Sequence, residues 1–459
     1  MDVTAIFDIG KTNKKFFLFD AQFREVHRAY TRFEETKDDD GDACDDLQQL
    51  TAWMKATFAE ALADQRFNIR WLNFSTYGAS LVHIDRNGQP VTPLYNYLKR
   101  LPEDLMERFM EQYGPSENWQ AQTASPLMGM LNSGLQLYWL KHHKPEQFAK
   151  VHRSLHFPQF CAYLFTGKVQ TEYTSIGCHT GLWHYKEGDY HPWVYAEDLD
   201  RKMPALCPTT TATPVHFGEQ EVMVGVGIHD SSAALLPYIL ANKEPFLLLS
   251  TGTWSIALNP FSAAPLTKTD LANDCLNFLR VDGMPVRAAR LFLGNEYKIW
   301  ARKLAEYYGK PYETHRNVAF DTGIHQQLQS ITEPVFQWES IRRPGETAQG
   351  AAETRLSRFG SYEAAYHQLM RELAQAQCQS LKRAQGQSDI RKLYIDGGFV
   401  DNAIFLRYLA EALPGYSITT TESPLGSALG AAMAIHNRVV DPEFILDHFS
   451  PQLQKPITT

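Results

Sequence analysis

The chain opens on "AIFDIGKTNKKFFLFD", residues 5–20, in which two apolar runs flank a turn holding Asp8, a glycine, two small polar residues and three lysines. Taken alone, such a turn is ordinarily a solvated hairpin. Three further stretches repeat the theme. "STGTWSIAL" (250–258) leads an apolar strand into a glycine turn of small hydroxyl residues, and "GIHDSSAAL" (227–235) sets Asp230 between a glycine-rich apolar strand and a small-residue helix. "DGGFVDN" (396–402) joins a short strand to a helix through two glycines. Together they offer what phosphoryl transfer requires: backbone N–H groups and hydroxyls to cradle phosphates, a cation, a carboxylate for a hard metal ion, a base for an acceptor hydroxyl and a slot for a nucleoside. Plainer readings stand beside these, with Asp8 satisfied by turn N–H groups and Asp230 capping the helix that follows it.

The elements that must position these residues appear as patterns. Residues 47–63 read as a helix behind the acidic run "DDDGDACDD" (38–46), which suits a solvated loop and a helix start and receives no catalytic role. Residues 71–97 read as strand, glycine-marked turn, strand and an "RNGQP" hairpin turn, and "LNSGLQLYWLKHH" reads as a helix. Near the end, "SPLGSALGAA" (423–432) begins a helix whose small residues Gly426, Ala428, Gly430 and Ala431 let a backbone or a flat ligand approach closely. The opening hairpin and the one at 245–258 stand about half a chain apart. That self-similarity predicts two domains of related architecture, each presenting one polar turn to a shared cleft.

Bulk properties agree with a chain that handles small soluble molecules. Its 459 residues, 44% hydrophobic and 21% charged, suit two or three domains with sizeable cores. A net charge of -8 and a pI near 6.1 argue against nucleic acid or an anionic membrane as the main partner. No basic segment followed by an apolar core opens the sequence, and no apolar run approaches the roughly 18 to 20 residues of a membrane span, so a cytoplasmic location is expected. Six scattered cysteines lack any C-x-x-C spacing and are expected to be buried reduced thiols. The adjacent histidines of "KHHK" point different ways on a helix and do not suggest a metal site.

In this order, these motifs resemble the FGGY carbohydrate kinases over essentially the whole chain. The resemblance implies an α/β fold of two ribonuclease-H-like domains, of actin and hexokinase type, flanking an ATP/sugar cleft. Residues 1–240 would carry the sugar pocket, the first phosphate turn and the catalytic aspartate; residues 241–459 would carry the second phosphate turn and the adenosine site. It further implies ATP bound by Thr12, Asn13 and Lys15, by Thr251, Gly252 and Thr253, and by Gly397, Gly398 and Asn402, with Asp8 holding Mg²⁺ directly or through water. Asp230 would be the general base, and Tyr77, Gly78, His229, Asp230 and Arg290 would touch the sugar, with Glu296 near the last of these. "GIHDSSAAL" and "STGTWS" resemble rhamnulokinase and fuculokinase, implying a ketose such as L-rhamnulose or L-fuculose converted to a sugar 1-phosphate, with ADP released. One departure stands out: "PLYNYLKR" keeps Arg100 but has Leu98 where many members have an aspartate. Another pentulose or polyol kinase, a non-catalytic sugar-binding regulator and an ATPase on the same fold therefore stay as alternatives. The expected partners are sugar and ATP alone, and the expected state is a monomer or homodimer.

Overall fold

The computed structural model describes residues 1–341, 356–421 and 426–436, together with the backbone of 452–454. Ser423 to Leu425 of the last motif lie outside the described residues. The chain divides into two compact units that are not contiguous in sequence. The first comprises Met1–Lys243, Ala263–Val286 and Leu425–Ile445; the second comprises Glu244–Ser262, Arg287–Pro424 and Leu446–Thr459. The first break falls at Lys243/Glu244, and two later segments, Ala263–Val286 and Leu425–Ile445, return to the first unit.

The first unit is built on strands β1 (Asp2–Ile9), β2 (Lys14–Phe19), β3 (Glu25–Thr31), β4 (Asn68–Thr76), β5 (Ala212–Phe217), β6 (Gln220–Gly225) and β7 (Ile228–His229). They lie in the order β5-β6-β4-β1-β2-β3, with β7 also against β4. β1 is central and covered on both faces, which is why it reads as a near-continuous apolar run. Phe7 meets Phe16 at 4.8 Å and Phe74 at 6.0 Å between ring centroids. The helix Leu47–Ala63 covers this core with Leu50, Met54, Phe58 and Ala61, one face of a 3.6-residue repeat, and starts where Asp46 accepts the Gln49 N–H. Its ends are those read from the sequence. Register brings chemistry to one end of the sheet: Asp8 pairs with Lys15 on β2 and with Ser75 on β4, and Ser75 and Thr76 pair with Ile228 and His229.

One expected hairpin is different. Leu81–Ile84 pairs antiparallel with Arg153–His156, and at "RNGQP" only an Ile84–Pro90 bridge forms. The helix Gly426–His436 packs on the helix Asp230–Ala241 so closely that a Cβ on Gly430 would stand 1.7 Å from the Ala233 carbonyl oxygen. What the small residues of this helix admit is therefore a backbone.

The second unit carries β8 (Leu247–Thr251), β9 (Ser255–Asn259), β10 (Pro285–Leu291) from Arg287 onward, β11 (Lys392–Gly397) and β12 (Ser417–Thr420), ordered β10-β9-β8-β11-β12. β8, β9 and β10 are antiparallel, whereas β11 and β12 run parallel to β8. The same pattern, three antiparallel strands continued by parallel ones, runs through β3-β2-β1-β4-β6. The resemblance between the two hairpins is thus a repeat of sheet topology. Among the described residues, no helix is long and apolar enough to cross a membrane. All six cysteines are free thiols, five of them buried.

Candidate active site

The turn between β1 and β2 closes through a hydrogen bond from Gly10 N–H to the Asn13 carbonyl, 2.9 Å. Its three lysines have different partners. Lys11 pairs with Asp45 (2.7 Å) and Glu35 (2.9 Å), and Lys14, only 2% exposed, pairs with Asp45 at 3.0 Å. Lys15 lies 3.7 Å from Asp8, beyond hydrogen-bond range, and is the lysine of this turn whose ammonium has no hydrogen bond among the described residues. Thr12 is exposed, and Asn13 accepts from Tyr30 Oη and Arg32 Nε at 2.8 Å, which leaves its amide N–H groups to donate. Thr12, Asn13 and Lys15 thus each keep a polar group available at or beside the turn. Because a lost charge-assisted contact costs about 1.5 to 3 kcal/mol, Lys15→Ala is expected to weaken ATP binding roughly tenfold or more while sugar binding stays within about twofold. Isothermal titration with each ligand checks this, and equal effects on both would remove the turn from the phosphate site.

Asp8 is held by the Ser427 hydroxyl, 2.9 Å. Lost hydration raises its pKa, Lys15 and Ser427 oppose the rise, and the nearby Asp230 adds to it. Mg²⁺ usually takes one or two carboxylates plus water and substrate phosphates, and the Asp8 carboxylate offers the hard oxygen such an ion prefers. Asp8 therefore fits the expected metal ligand.

β7 ends on His229, and Asp230 opens the next helix. Asp230 is not the cap of that helix: the N-cap position is His229, and the Asp230 carboxylate accepts the Ser231 N–H at 2.6 Å. Its side chain is 35% exposed, yet lost hydration raises its pKa to about 6 against the opposing Ser231 hydrogen bonds. His229 is buried, which lowers its pKa to about 4 and keeps it neutral near pH 7. Its Nε2 stands 3.2 Å from Asp230 Oδ1 and 3.2 Å from Cys178 Sγ, and its ring meets Phe278 at 5.4 Å. A Cβ on Gly78 would fall 2.5 Å from Cys178 Sγ and 3.0 Å from the His229 ring, so Gly78 makes room for the histidine. Cys178 and Phe278 have no local sequence signal; they reach the site only through folding.

In the second unit, Thr251 ends β8 with its hydroxyl engaged: it donates to the Asp396 carbonyl at 2.5 Å and accepts the Phe399 N–H at 3.1 Å. Gly397, at φ +85°, lies so close that a Cβ would be 1.8 Å from the Thr251 carbonyl. Thr251 and Gly397 thus join the two glycine turns, whereas Gly252 and Thr253 are exposed. The Gly294 N–H donates to the Thr253 carbonyl at 3.1 Å, leaving the Thr253 side chain open. Gly398 has open space beside it and lines a cavity of about 460 Å³ with Tyr297, His315, Tyr366, Phe399 and Asn402. That cavity is the candidate nucleoside slot.

Several expected contacts are spent elsewhere. Asn402 lines the slot, but its Oδ1 accepts the Phe405 N–H and its Nδ2 donates to Tyr366 Oη and Met370 Sδ, so it shapes the wall. The Tyr77 hydroxyl donates to Asp45 at 2.7 Å, beneath the first turn. Arg290 lies over Trp254 at 5.2 Å in the second unit, and Trp254 stacks on Phe292 at 4.2 Å. Glu296 is buried and holds Ser340, whose hydroxyl donates at 2.6 Å. Leu98 is 69% exposed, with no carboxylate in its place. The acidic run is not merely solvated: Asp38, Asp40 and Asp42 enclose Lys99, Asp39 and Asp40 hold Lys144, and Asp45 ties Lys11, Lys14 and Tyr77 together.

Residues 3–236 match the N-terminal domain of the FGGY family of carbohydrate kinases, and residues 243–442 match the carbohydrate kinase FGGY C-terminal domain. A carbohydrate kinase from Novosphingobium aromaticivorans has a similar structure, with TM-score 0.78 and 21% identity over 99% of this chain and 94% of that one. A ligand-bound xylulose kinase from Lactobacillus acidophilus gives TM-score 0.78 at 14% identity, over 99% and 93%. Plasmodium falciparum glycerol kinase with ADP gives 0.70 at 14%, over 95% and 89%. With both family domains matched and the fold shared, this chain belongs to the FGGY family of carbohydrate kinases.

Proposed function

We propose that this kinase transfers the γ-phosphoryl group of ATP to a ketose of the L-rhamnulose or L-fuculose type, giving a sugar 1-phosphate and ADP. The observation that carries the reading is the His229–Asp230 pair at the end of β7, a partly exposed carboxylate with raised pKa beside a buried neutral histidine. Asp230 accepts the proton of the sugar hydroxyl as that oxygen bonds to the γ-phosphorus and the bond to the β-phosphate oxygen breaks. His229, buried and neutral, stands with Nε2 3.2 Å from Asp230 Oδ1 and packs beside the carboxylate. Thr12, Asn13 and Lys15 are the candidate phosphate ligands of the first turn, and Gly252 and Thr253 are those of the second turn. Thr251 and Gly397 fix the second turn, and Gly398 lies against the adenosine. Asp8 would hold Mg²⁺, whose charge offsets that of the phosphates.

A base that must be ionised sets a pH limit. With the pKa of Asp230 near 6, and His229, Asp8 and Tyr97 as the titratable groups around it, kcat/KM for the sugar is expected to be flat above about pH 7 and to fall about tenfold per pH unit below about pH 6. A profile flat to pH 4.5 at saturating ATP would contradict the role of Asp230.

A second reading, a pentulose kinase, draws on the likeness to xylulose kinases and on Leu98, which departs from the usual polar sugar contact. ADP release from Mg-ATP separates the two, measured with L-rhamnulose, L-fuculose, L-xylulose, L-ribulose, D-xylulose, D-ribulose, D-fructose, D-tagatose and glycerol. Strong stimulation by a 6-deoxyketose supports the first reading and by a pentulose the second. ADP appearing equally without sugar would overturn both.

A further inference from the structure

A buried carboxylate behind the base has no evident ligand to meet. Glu172 is 0% exposed and caps the short helix Tyr173–Ile176. It accepts the N–H groups of Thr174 and Ser175 at 2.7 Å, the hydroxyls of Thr174 (2.8 Å) and Thr209 (2.7 Å), and a longer contact from Gln159 at 3.4 Å. Among the described residues no lysine or arginine pairs with it. Burying a carboxylate without a cation is costly, and groups kept at that cost are best attested as devices that set register.

What this device sets follows from hydrogen-bond polarity. A threonine hydroxyl has one proton, and Thr174 gives its proton to Glu172, so toward its other neighbour it can only accept. That neighbour is the backbone N–H of His229, 3.0 Å away. The segment before it is tied on both sides. The Gly227 N–H donates to Asn73 Oδ1 at 3.0 Å, and the Gly227 carbonyl accepts Gln159 Nε2 at 3.1 Å. Cys178, just past the same short helix, meets the His229 ring. Residues 172–178 therefore grip His229 by both its backbone and its imidazole, one residue before Asp230.

We propose that Glu172 is a positioning residue for Asp230, acting through the Thr174 hydroxyl on the His229 backbone. The proposal rests on the kinase reading for its effect on turnover and on the hydrogen-bond chain for its effect on local order.

The test uses the full chain with Thr174→Val, Thr174→Ser and Glu172→Gln, the sugar giving the highest turnover, and amide hydrogen exchange of peptides spanning 226–231. Because small misplacements of a reacting group cost up to about a hundredfold, Thr174→Val is expected to lower kcat about tenfold or more, with KM for ATP within about threefold. Thr174→Ser, which restores the hydroxyl, is expected to recover kcat to within about twofold, and exchange at 226–231 is expected to quicken in Thr174→Val alone of these two. Glu172→Gln, which keeps the shape of the side chain, is expected to move kcat and exchange in the same direction and decides the matter if the valine variant does not fold. Three results would overturn the proposal: unchanged kcat in Thr174→Val, a loss that serine does not recover, or a higher KM at constant kcat. Should the wild type show no sugar-stimulated ADP release, the kinase reading fails by itself, and unchanged exchange at 226–231 in both Thr174→Val and Glu172→Gln would then overturn the positioning role.

Discussion

Asp230→Asn is expected to lower kcat by about a thousandfold while ATP binding changes by less than about threefold, since positioned general bases contribute roughly 10² to 10⁴. Asparagine keeps the shape of the side chain and can still accept the Ser231 N–H, so the helix start should survive. It cannot take a proton from the sugar hydroxyl. His229 offers no substitute: its pKa near 4 makes it a poor base, and it is buried against Cys178 and Phe278. ADP release with the preferred sugar, together with titration of ATP, measures both effects. Turnover above about a tenth of the wild-type value would mean that another group accepts the proton.

The largest expected loss of stability lies away from the chemistry. Gly430→Ala is expected to cost about 3 to 5 kcal/mol, or to prevent the first unit from folding, because the new Cβ would stand 1.7 Å from a carbonyl oxygen. That oxygen belongs to Ala233, inside the helix that Asp230 opens, and a helical backbone cannot swing aside as a side-chain end can. Gly426→Ala in the same helix is the control. Among the described residues its Cβ would come no nearer than 3.6 Å, to Ala234, which is ordinary contact, and removing a helix glycine stabilises by about 0.5 to 1 kcal/mol. Denaturant unfolding of both variants separates the effects. Equal midpoints would mean that the two helices do not approach this closely.

The two predictions concern features that were legible to different degrees. Asp230 could be singled out because a glycine-rich apolar strand, a carboxylate and a small-residue helix are consecutive, and consecutive residues fix where a strand ends and what stands there. The same holds for the turns at Gly10, Gly252 and Gly397, for the helix Leu47–Ala63 and for the paired hairpins whose sheets share one topology. Gly430 was legible only as a small residue. That the Ala233 backbone lies against it depends on a segment from the far end of the chain returning to the first unit.

The same division runs through the site. Residue types and their local spacing determined the α/β architecture, the glycine turns, the place of Asp230 at a strand end and the family resemblance, because strand runs, helix repeats and glycine turns are short-range consequences of sterics and burial. Tertiary structure alone decided which of those residues are free to act. It placed Asp45 under the first turn, 31 residues from Lys14, so that two of three lysines and the Tyr77 hydroxyl are occupied and Lys15 is left. It turned Asn402 and Glu296 inward, and it brought Thr174 to His229 across 55 residues. No periodicity encodes these partnerships. They arise because buried polar groups must find partners, and the nearest partner is set by how the whole unit packs.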